Sequence, residues 1–500
     1  MLTIYAPTDQ LDFVKQTLQR EARLDELVSV QDIHQAHSTQ SPYLTITPHG
    51  ISVPLIWDHS LPPYLFPAHI EATSEHLLAL VFHLLENDHK SWEYAKDSEL
   101  YVHIENQNRL KYGLPYHQVI TLAETHRELH NIGVIMHYGH VPADPHLPHP
   151  EQMYIEAFGK SEDGELAAFT LRELATFYLD HGQVDQAEAV LKEGIEKAIS
   201  EEARQALNLV LVKVWMQQIV VPYDAEHIEK LKQKIWEAMN YYEGKNHKVQ
   251  VGLLLMDATH IANISDSYSE ALGYIKRAIG IFDGEDLAEL AASAHLQKGT
   301  LLGTWAQNGN PQFYKPAIEA YQKSIYTFTK EQSPDVFAEV QHKLGVLYAE
   351  MPAENKKRGI WAGVSSASFN SALEYYTKER FPYEYASICN NFANAFTKFP
   401  PGIRTDNHVK ALHYYQEALE IRTRAYPYER AITLLNYLEA SWNAGNDPSS
   451  FNTARYDDMI AKAEEVKRLV VDPDMLEEAN RHLQNLQYLR NEIEKEQNDA

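Results

Sequence analysis

Ser333-Pro334-Asp335-Val336-Phe337-Ala338 is the stretch that decides how this chain is read, because its pattern returns twice. It comes back as Phe381-Pro382-x-x-x-Ala386 and as Tyr426-Pro427-x-x-x-Ala431. A threonine stands four or five residues before each proline: Thr329, Thr377 and Thr423. Each copy opens a helix-like run with large residues at matching offsets: Leu344 and Tyr348, Phe392 and Phe396, then Tyr437, where Ser441 breaks the match. The prolines lie 48 and 45 residues apart. A period of that size predicts stacked helical hairpins, a scaffold for holding something else.

A second pattern runs in phase with the first. After about Gly164 the chain reads as paired helices to its end, and the second helix of each pair carries small, large and small residues at offsets 0, +4 and +7. These are Ala187/Leu191/Gly194, Ala271/Ile275/Ala278, Ala317/Tyr321/Ser324 and Ala411/Tyr415/Ala418, while Ala372/Tyr376/Glu379 keeps only the first two. Such spacing puts all three on one helical face, where the small residues admit a neighbouring backbone and the large one fills the hole. The first helices carry their own marks: Leu174-Ala175…Tyr178, Ala258…Ala262, Leu344-Gly345…Tyr348 and Phe392-Ala393…Phe396.

On these residues the sequence resembles the tetratricopeptide repeat family over residues 165–445, with Ile132-Gly133…Met136 as a degenerate earlier copy. The Pro-x-x-x-Ala entry is similar to repeats of bacterial signalling and regulatory proteins. The resemblance implies an α-solenoid whose first helices line a concave groove, with the residues flanking the Leu-Gly pair pointing into it. Those positions are His342, Lys343 and Val346, then Asn390, Asn391 and Asn394, then Asn436 and Glu439. Three asparagines in five residues suit a helix interior poorly, whereas an amide that donates and accepts together suits a peptide backbone. Family members that clamp a carboxylate use such asparagines with flanking Lys and Arg; this chain offers Lys343 and lacks a full basic set. It also departs from the family's short turns, by about fifteen residues in Met351–Phe369 and roughly six in Phe399–Asn407. The first departure holds Lys356, Lys357, Arg358 and Trp361, a basic and aromatic patch read as a functional surface loop.

The surroundings of the array divide into further segments. Residues 1–65 read as a small mixed α/β cap, with short β-forming runs at Leu2–Tyr5, Leu27–Val30, Tyr43–Thr47 and Ile51–Trp57 and a helix over Gln10–Arg20. Residues 66–160 form a His-rich helical segment. It has one helix over Glu71–Glu86, with Leu77, Leu80, Val81 and Leu84 on one face, and another over His117–His137 carrying Ile120, Leu122, Leu129, Ile132 and Ile135. Four prolines between Val141 and Pro150 make a loop. Residues 446–500 read as polar capping helices.

With 44 basic against 70 acidic side chains the net charge is −26. Nucleic acid and anionic membranes are excluded as partners on that ground, and a basic protein or peptide is favoured. Cys389 is the single cysteine, so neither an intramolecular disulfide nor a CxxC site exists; a packed thiol is expected. Without a basic-then-apolar start or a long apolar run, a cytoplasmic location is expected.

Chemistry is sparse. Sixteen of the 25 histidines fall in the first 150 residues, which makes His83, Glu86, His126, His130, His137 and His140 candidate metal ligands. A transition metal needs three or four ligands converging from separate elements, and one helix supplies at most two. His126-Arg-Glu-Leu-His130 has its glutamate misplaced for a zinc hydrolase helix. Phosphate-cradling loops and the nucleophile elbow are absent from the sequence. No cofactor is expected. The reading is a non-enzymatic scaffold, adaptor or regulator holding a protein segment in its groove. The alternatives are a metal-dependent enzyme or metal carrier built on the N-terminal histidines, and a peptide-signal sensor.

Overall fold

The computed structural model describes residues 2–34, 42–57, 61–117, 123–161, 163–220, 223–401, 406–445 and 452–499. It falls into two compact units, Met1–Tyr241 and Tyr242–Ala500. The fold is mainly α, an array of tetratricopeptide-type helical hairpins with a small α/β sheet at the N-terminus.

The first unit opens with β1 (Leu2–Ala6), α1 (Leu11–Leu18), α2 (Leu24–Leu27), β2 (Val28–Asp32), β3 (Tyr43–Thr47) and β4 (Gly50–Ser52). Strand order is β2-β1-β3-β4, with β1 parallel to both neighbours and β3–β4 antiparallel. The strand expected over Ile51–Trp57 ends at Ser52, two residues before Pro54, whose missing N–H cannot extend a ladder. Ile51 instead exchanges main-chain hydrogen bonds with Ile70 (2.7 and 3.3 Å). Gly50, at φ +131°, lies so close beneath them that a Cβ there would sit 2.3 Å from the Ile70 carbonyl oxygen.

Helices α3 (Ser74–Leu84), α4 (Asp88–Ala95) and α5 (Leu100–Tyr112) follow. Next come α6 (His126–Tyr138), α7 (Pro150–Gly159), α8 (Gly164–Asp180), α9 (Val184–Lys197) and α10 (Glu201–Gln217). Helix α11 (Ala225–Gly244) runs across the boundary between units. The helix expected from His117 begins only at His126, where Thr125 and Glu128 close a reciprocal capping box. Ile120 and Leu122 lie outside the described residues. Helices α6–α7 and α8–α9 are hairpins, and Tyr154 lies over Gly133.

After β4 the main chain of Trp57, Pro63, Leu65 and Phe66 forms a strap held by groups on α6 and α8. Asn131 accepts from the Leu65 N–H (2.7 Å) and donates to the Leu65 carbonyl (2.8 Å). His130 Nε2 donates to the Pro63 carbonyl (2.8 Å), and Arg127 donates to that of Phe66 (2.8 Å). Arg172, buried and paired with buried Glu173 (2.7 Å), donates to the Trp57 carbonyl (3.0 Å) and lies over the Trp57 and Phe169 rings.

The second unit contains the hairpins α12 (Lys248–Ile264)–α13 (Tyr268–Gly284), α14 (Ala288–Gln307)–α15 (Tyr314–Thr327) and α16 (Pro334–Glu350)–α17 (Asn355–Tyr375). They continue as α18 (Pro382–Lys398)–α19 (Asn407–Ile421) and α20 (Pro427–Asn443)–α21 (Thr453–Leu469), with α22 (Pro473–Asp499) last. First helices also touch their counterparts in the next hairpin (α14 with α16, α16 with α18, α18 with α20), which is solenoid stacking. The recurring proline entry is one turn built twice, before Pro334 and Pro382, and a version one residue shorter before Pro427. Ser333, Phe381 and Tyr426 have φ/ψ of −139°/66°, −138°/64° and −123°/66°, outside the helical region as a residue before proline must be. The upstream threonine closes each turn, its carbonyl accepting from the pre-proline N–H at 2.9, 2.9 and 3.0 Å. The first alanine of each helix, Ala338, Ala386 or Ala431, is buried.

Met351–Phe369 corrects the sequence reading. It is not a stretched loop: the turn is Met351–Glu354, and α17 starts at Asn355. A few of its residues seat on α16. Trp361 stacks on Tyr348 (5.4 Å), the Ser365 hydroxyl donates to the Gly345 carbonyl (2.6 Å), and Phe369 covers Gly345. The buried triad of this helix is therefore Ser365/Phe369/Ala372, seven residues before Ala372/Tyr376/Glu379, whose Glu379 is exposed. The other four triads are buried as read. In the loop Phe399–Asn407, residues 402–405 lie outside the described ones.

Two measurements test this packing. Gly345→Ala places a methyl 2.9 Å from the Phe369 ring, and overpacking of that kind outweighs the helix-propensity gain, so urea unfolding should show a net loss of about 1 kcal/mol or more. Gly363→Ala, in open space on α17, should gain roughly 0.5–1 kcal/mol. The second concerns pH. Burial pushes His83 and His130 down to about 4 despite hydrogen bonds to Gln107 and the Pro63 carbonyl. Their unfolded value lies near 6.5, so between pH 6.5 and 4 the unfolded chain binds more protons and stability falls as pH falls. The loss approaches about 3 kcal/mol for each group. Chemical denaturation at pH 7 and 4.5 should show it, and His130→Gln should flatten the slope.

Candidate functional site

Helices α14, α16 and α18 lie side by side, and a cavity of about 290 Å³ opens between them. His342 and Lys343 from α16 and Asn391 and Asn394 from α18 line it, with Val346 beside them. Their placement follows from helix rotation. Gly345 is turned against Phe369, and at 100° per residue its neighbours three and two before and one after take fixed bearings on the helix.

The polar groups form two sets. On one side Asn390 Nδ2 donates to Asn391 Oδ1 (3.4 Å), and Asn391 Nδ2 donates to His342 Nε2 (2.9 Å). That bond makes Nε2 an acceptor and leaves the imidazole proton on Nδ1. Burial, with the Lys343 charge adding to it, pushes His342 down to about 3, so the ring is neutral at pH 7. Asn390 itself is buried, and its Oδ1 has no partner among the described residues. On the other side Glu350 accepts from Lys398 (2.6 Å) and Gln307 (2.7 Å), tying three successive first helices together. Asn394 Oδ1 accepts from the Tyr415 hydroxyl (2.5 Å), while its Nδ2 makes no hydrogen bond among the described residues. Lys343 is exposed and has no acidic partner there. The cavity thus offers an amide N–H and an ammonium to an incoming carbonyl or carboxylate oxygen.

Other sequence candidates fall elsewhere. Asn436 is half-buried and Glu439 exposed on α20, and neither lines the cavity. Trp361 is occupied by Tyr348. Arg358 donates to the Lys398 carbonyl (3.2 Å) and borders an adjoining open hollow of about 800 Å³. Lys357 is exposed on α17, and the Lys356 side chain lies outside the described residues. Gln307, Glu350 and Lys398 were not picked out from the sequence. A signal existed, since Glu350 and Lys398 each stand eight residues after His342 and Asn390, on the same face.

The N-terminal candidates disperse. His83 bonds Gln107, Glu86 pairs with Lys111 (3.4 Å), and His126 and His130 share the Thr170 hydroxyl (3.0 and 2.9 Å). His137 bonds Asp180 (3.0 Å), and His140 is exposed. Among the described residues, no three His, Cys, Asp or Glu side chains come close enough to hold a metal ion. Cys389 is fully buried, and burial pushes its thiol up to about 12.

No protein-family model and no curated protein matches the chain. Among solved structures it is similar to a Signal Transduction ATPase with Numerous Domains from Pyrococcus horikoshii that carries a tetratricopeptide repeat sensor. Identity there is 12%, over 98% of this chain and 78% of that one, with a TM-score of 0.48. It is similar also to yeast Tom70, at 11% identity over 84% of this chain and 82% of that one, with a TM-score of 0.36. The hairpin packing within the chain itself is a fold of stacked, tetratricopeptide-like helical hairpins.

Proposed function

We propose that the chain is a non-enzymatic scaffold, an adaptor or regulator that holds a segment of a partner protein in the groove lined by α14, α16 and α18. The observation that carries this reading is the convergence of His342, Lys343, Asn391 and Asn394, from two repeats, on one cavity of about 290 Å³. A groove built this way binds by hydrogen bonding and shape, and it performs no bond chemistry. Outside the groove the charge of −26 draws a partner with basic flanks, which speeds encounter more than it tightens the complex.

A photo-crosslinking amino acid in place of Val346, on the groove floor, tests the proposal in cells that make the chain. A discrete adduct to one protein is expected. Adding Asn391→Ala and Asn394→Ala should cut its yield about tenfold, on the scale of one or two lost hydrogen bonds to a desolvated partner. Unchanged yield with unchanged circular dichroism rules out the groove as the docking site.

A further inference from the structure

Lys298 breaks the pattern of the repeats. Gly299 lies under Tyr321 as Gly133 lies under Tyr154 and Gly345 under Phe369, so Lys298 takes the place that Ile132 and Leu344 hold in their helices. Leu174, before Ala175, and Phe392, before Ala393, stand at the same mark. Those four side chains are apolar and between 1% and 5% exposed, whereas Lys298 is a half-buried cation. An ammonium in a packing position costs desolvation and returns no apolar contact there. Departures of this kind from a local rule concentrate at functional sites.

Two more lysines enlarge the departure. Lys276 on α13 and Lys323 on α15 are exposed, and the charges of both bear on Lys298. Burial first, then those two charges, hold its ammonium below the ordinary lysine value, with Glu319 opposing them. His295, one turn earlier on α14, is lowered by burial and then by Lys323 and Lys298, with Asp283 opposing. Its buried Nδ1 has no partner among the described residues. Neighbouring cations are neutralised, Arg277 by Glu243 (2.5 Å) and Lys315 by Glu319 (3.9 Å). Lys276, Lys298 and Lys323 make no ion pair among the described residues, although the chain has 70 acidic side chains.

The cluster is separate from the groove. Thr300, Gly303, Thr304 and Gln307 line the groove cavity, and at about 100° per residue Lys298 falls on the opposite side of α14, which packs against α13 and α15.

We propose that Lys276, Lys298 and Lys323 bind a phosphate dianion, esterified or free, on the face of α14 turned away from the groove. Three ammonium groups carry more charge than one carboxylate cancels, whereas a phosphate brings about two negative charges and three terminal oxygens. Large polyanions are repelled by the net charge of −26, so a single compact group is what reaches the cluster. The unpartnered Nδ1 of His295 is a further group able to donate to it. Bound phosphate replaces the repulsion among the ammonium groups with ion pairs. This goes beyond the scaffold reading and does not depend on it.

The test titrates the full chain with phosphoserine, inorganic phosphate and acetate by calorimetry, at about pH 7.5, where phosphate is mostly dianionic, and at constant ionic strength. Saturable binding of phosphoserine and phosphate is expected, and none of acetate. Lys298→Leu restores the residue type of the other repeats, so it should raise the urea midpoint while weakening binding about tenfold or more. Loss of binding in a stabilised chain cannot come from misfolding. Lys276→Gln and Lys323→Gln, at exposed positions, should each weaken binding several-fold. Phosphoserine held more tightly than inorganic phosphate assigns the site to an esterified ligand, and equal binding assigns it to the free anion. No saturation by about 10 mM of either phosphate overturns the proposal. So does acetate binding as tight as phosphate, or phosphate binding that Lys298→Leu leaves unchanged.

Discussion

A glycine under an aromatic ring governs the array. Four times a first helix presents a glycine to a ring of the second: Gly133 to Tyr154, Gly252 to Phe282, Gly299 to Tyr321 and Gly345 to Phe369. A Cβ at these places would come within 2.6 to 2.9 Å of ring carbons, closer than packed atoms approach. The pair therefore locks the rotation of one helix against the other. On α16 the groove-facing residues, His342 and Glu350 among them, take their bearing from the lock at Gly345.

The same lock explains why one repeat face serves two ends. Where the chain's own strap crosses, polar groups at these positions are buried against backbone, and their desolvation is offset by good geometry at 2.7 to 3.0 Å. Beside the α14–α16–α18 cavity Asn391 pairs with His342 at 2.9 Å and with Asn390 at 3.4 Å, and the buried Asn390 Oδ1 is left unmatched among the described residues.

Much of this was legible in the sequence, for a physical reason. Proline and small-large-small spacing are local constraints, so the turn at Ser333-Pro334 and triads such as Ala411/Tyr415/Ala418 declare themselves without a partner. The groove positions came from the family resemblance, and His342, Lys343, Asn391 and Asn394 line one cavity. What failed to show was context. Asn355–Asn370 is poor in regular apolar residues and rich in serine, so its helix is visible only once Gly345 receives Phe369 and its carbonyl receives Ser365. The strap was hidden as well, since Leu61–Phe66 bonds side chains that lie more than sixty residues away. The N-terminal histidines advertised metal by number alone, while their rings are spent one by one on Gln107, Thr170, Pro63 and Asp180.

Two of the proline turns carry one more consequence. Because the backbone enters Pro334 and Pro382 at nearly the same torsion angles, and each turn is closed from within by a threonine four residues before the pre-proline position, these two junctions match in geometry. A length of chain cut from one proline to the next would rejoin with no change in direction. Such a chain can grow or shorten by whole cassettes, through recombination at the level of the gene, and each new cassette would bring its own groove residues already aimed.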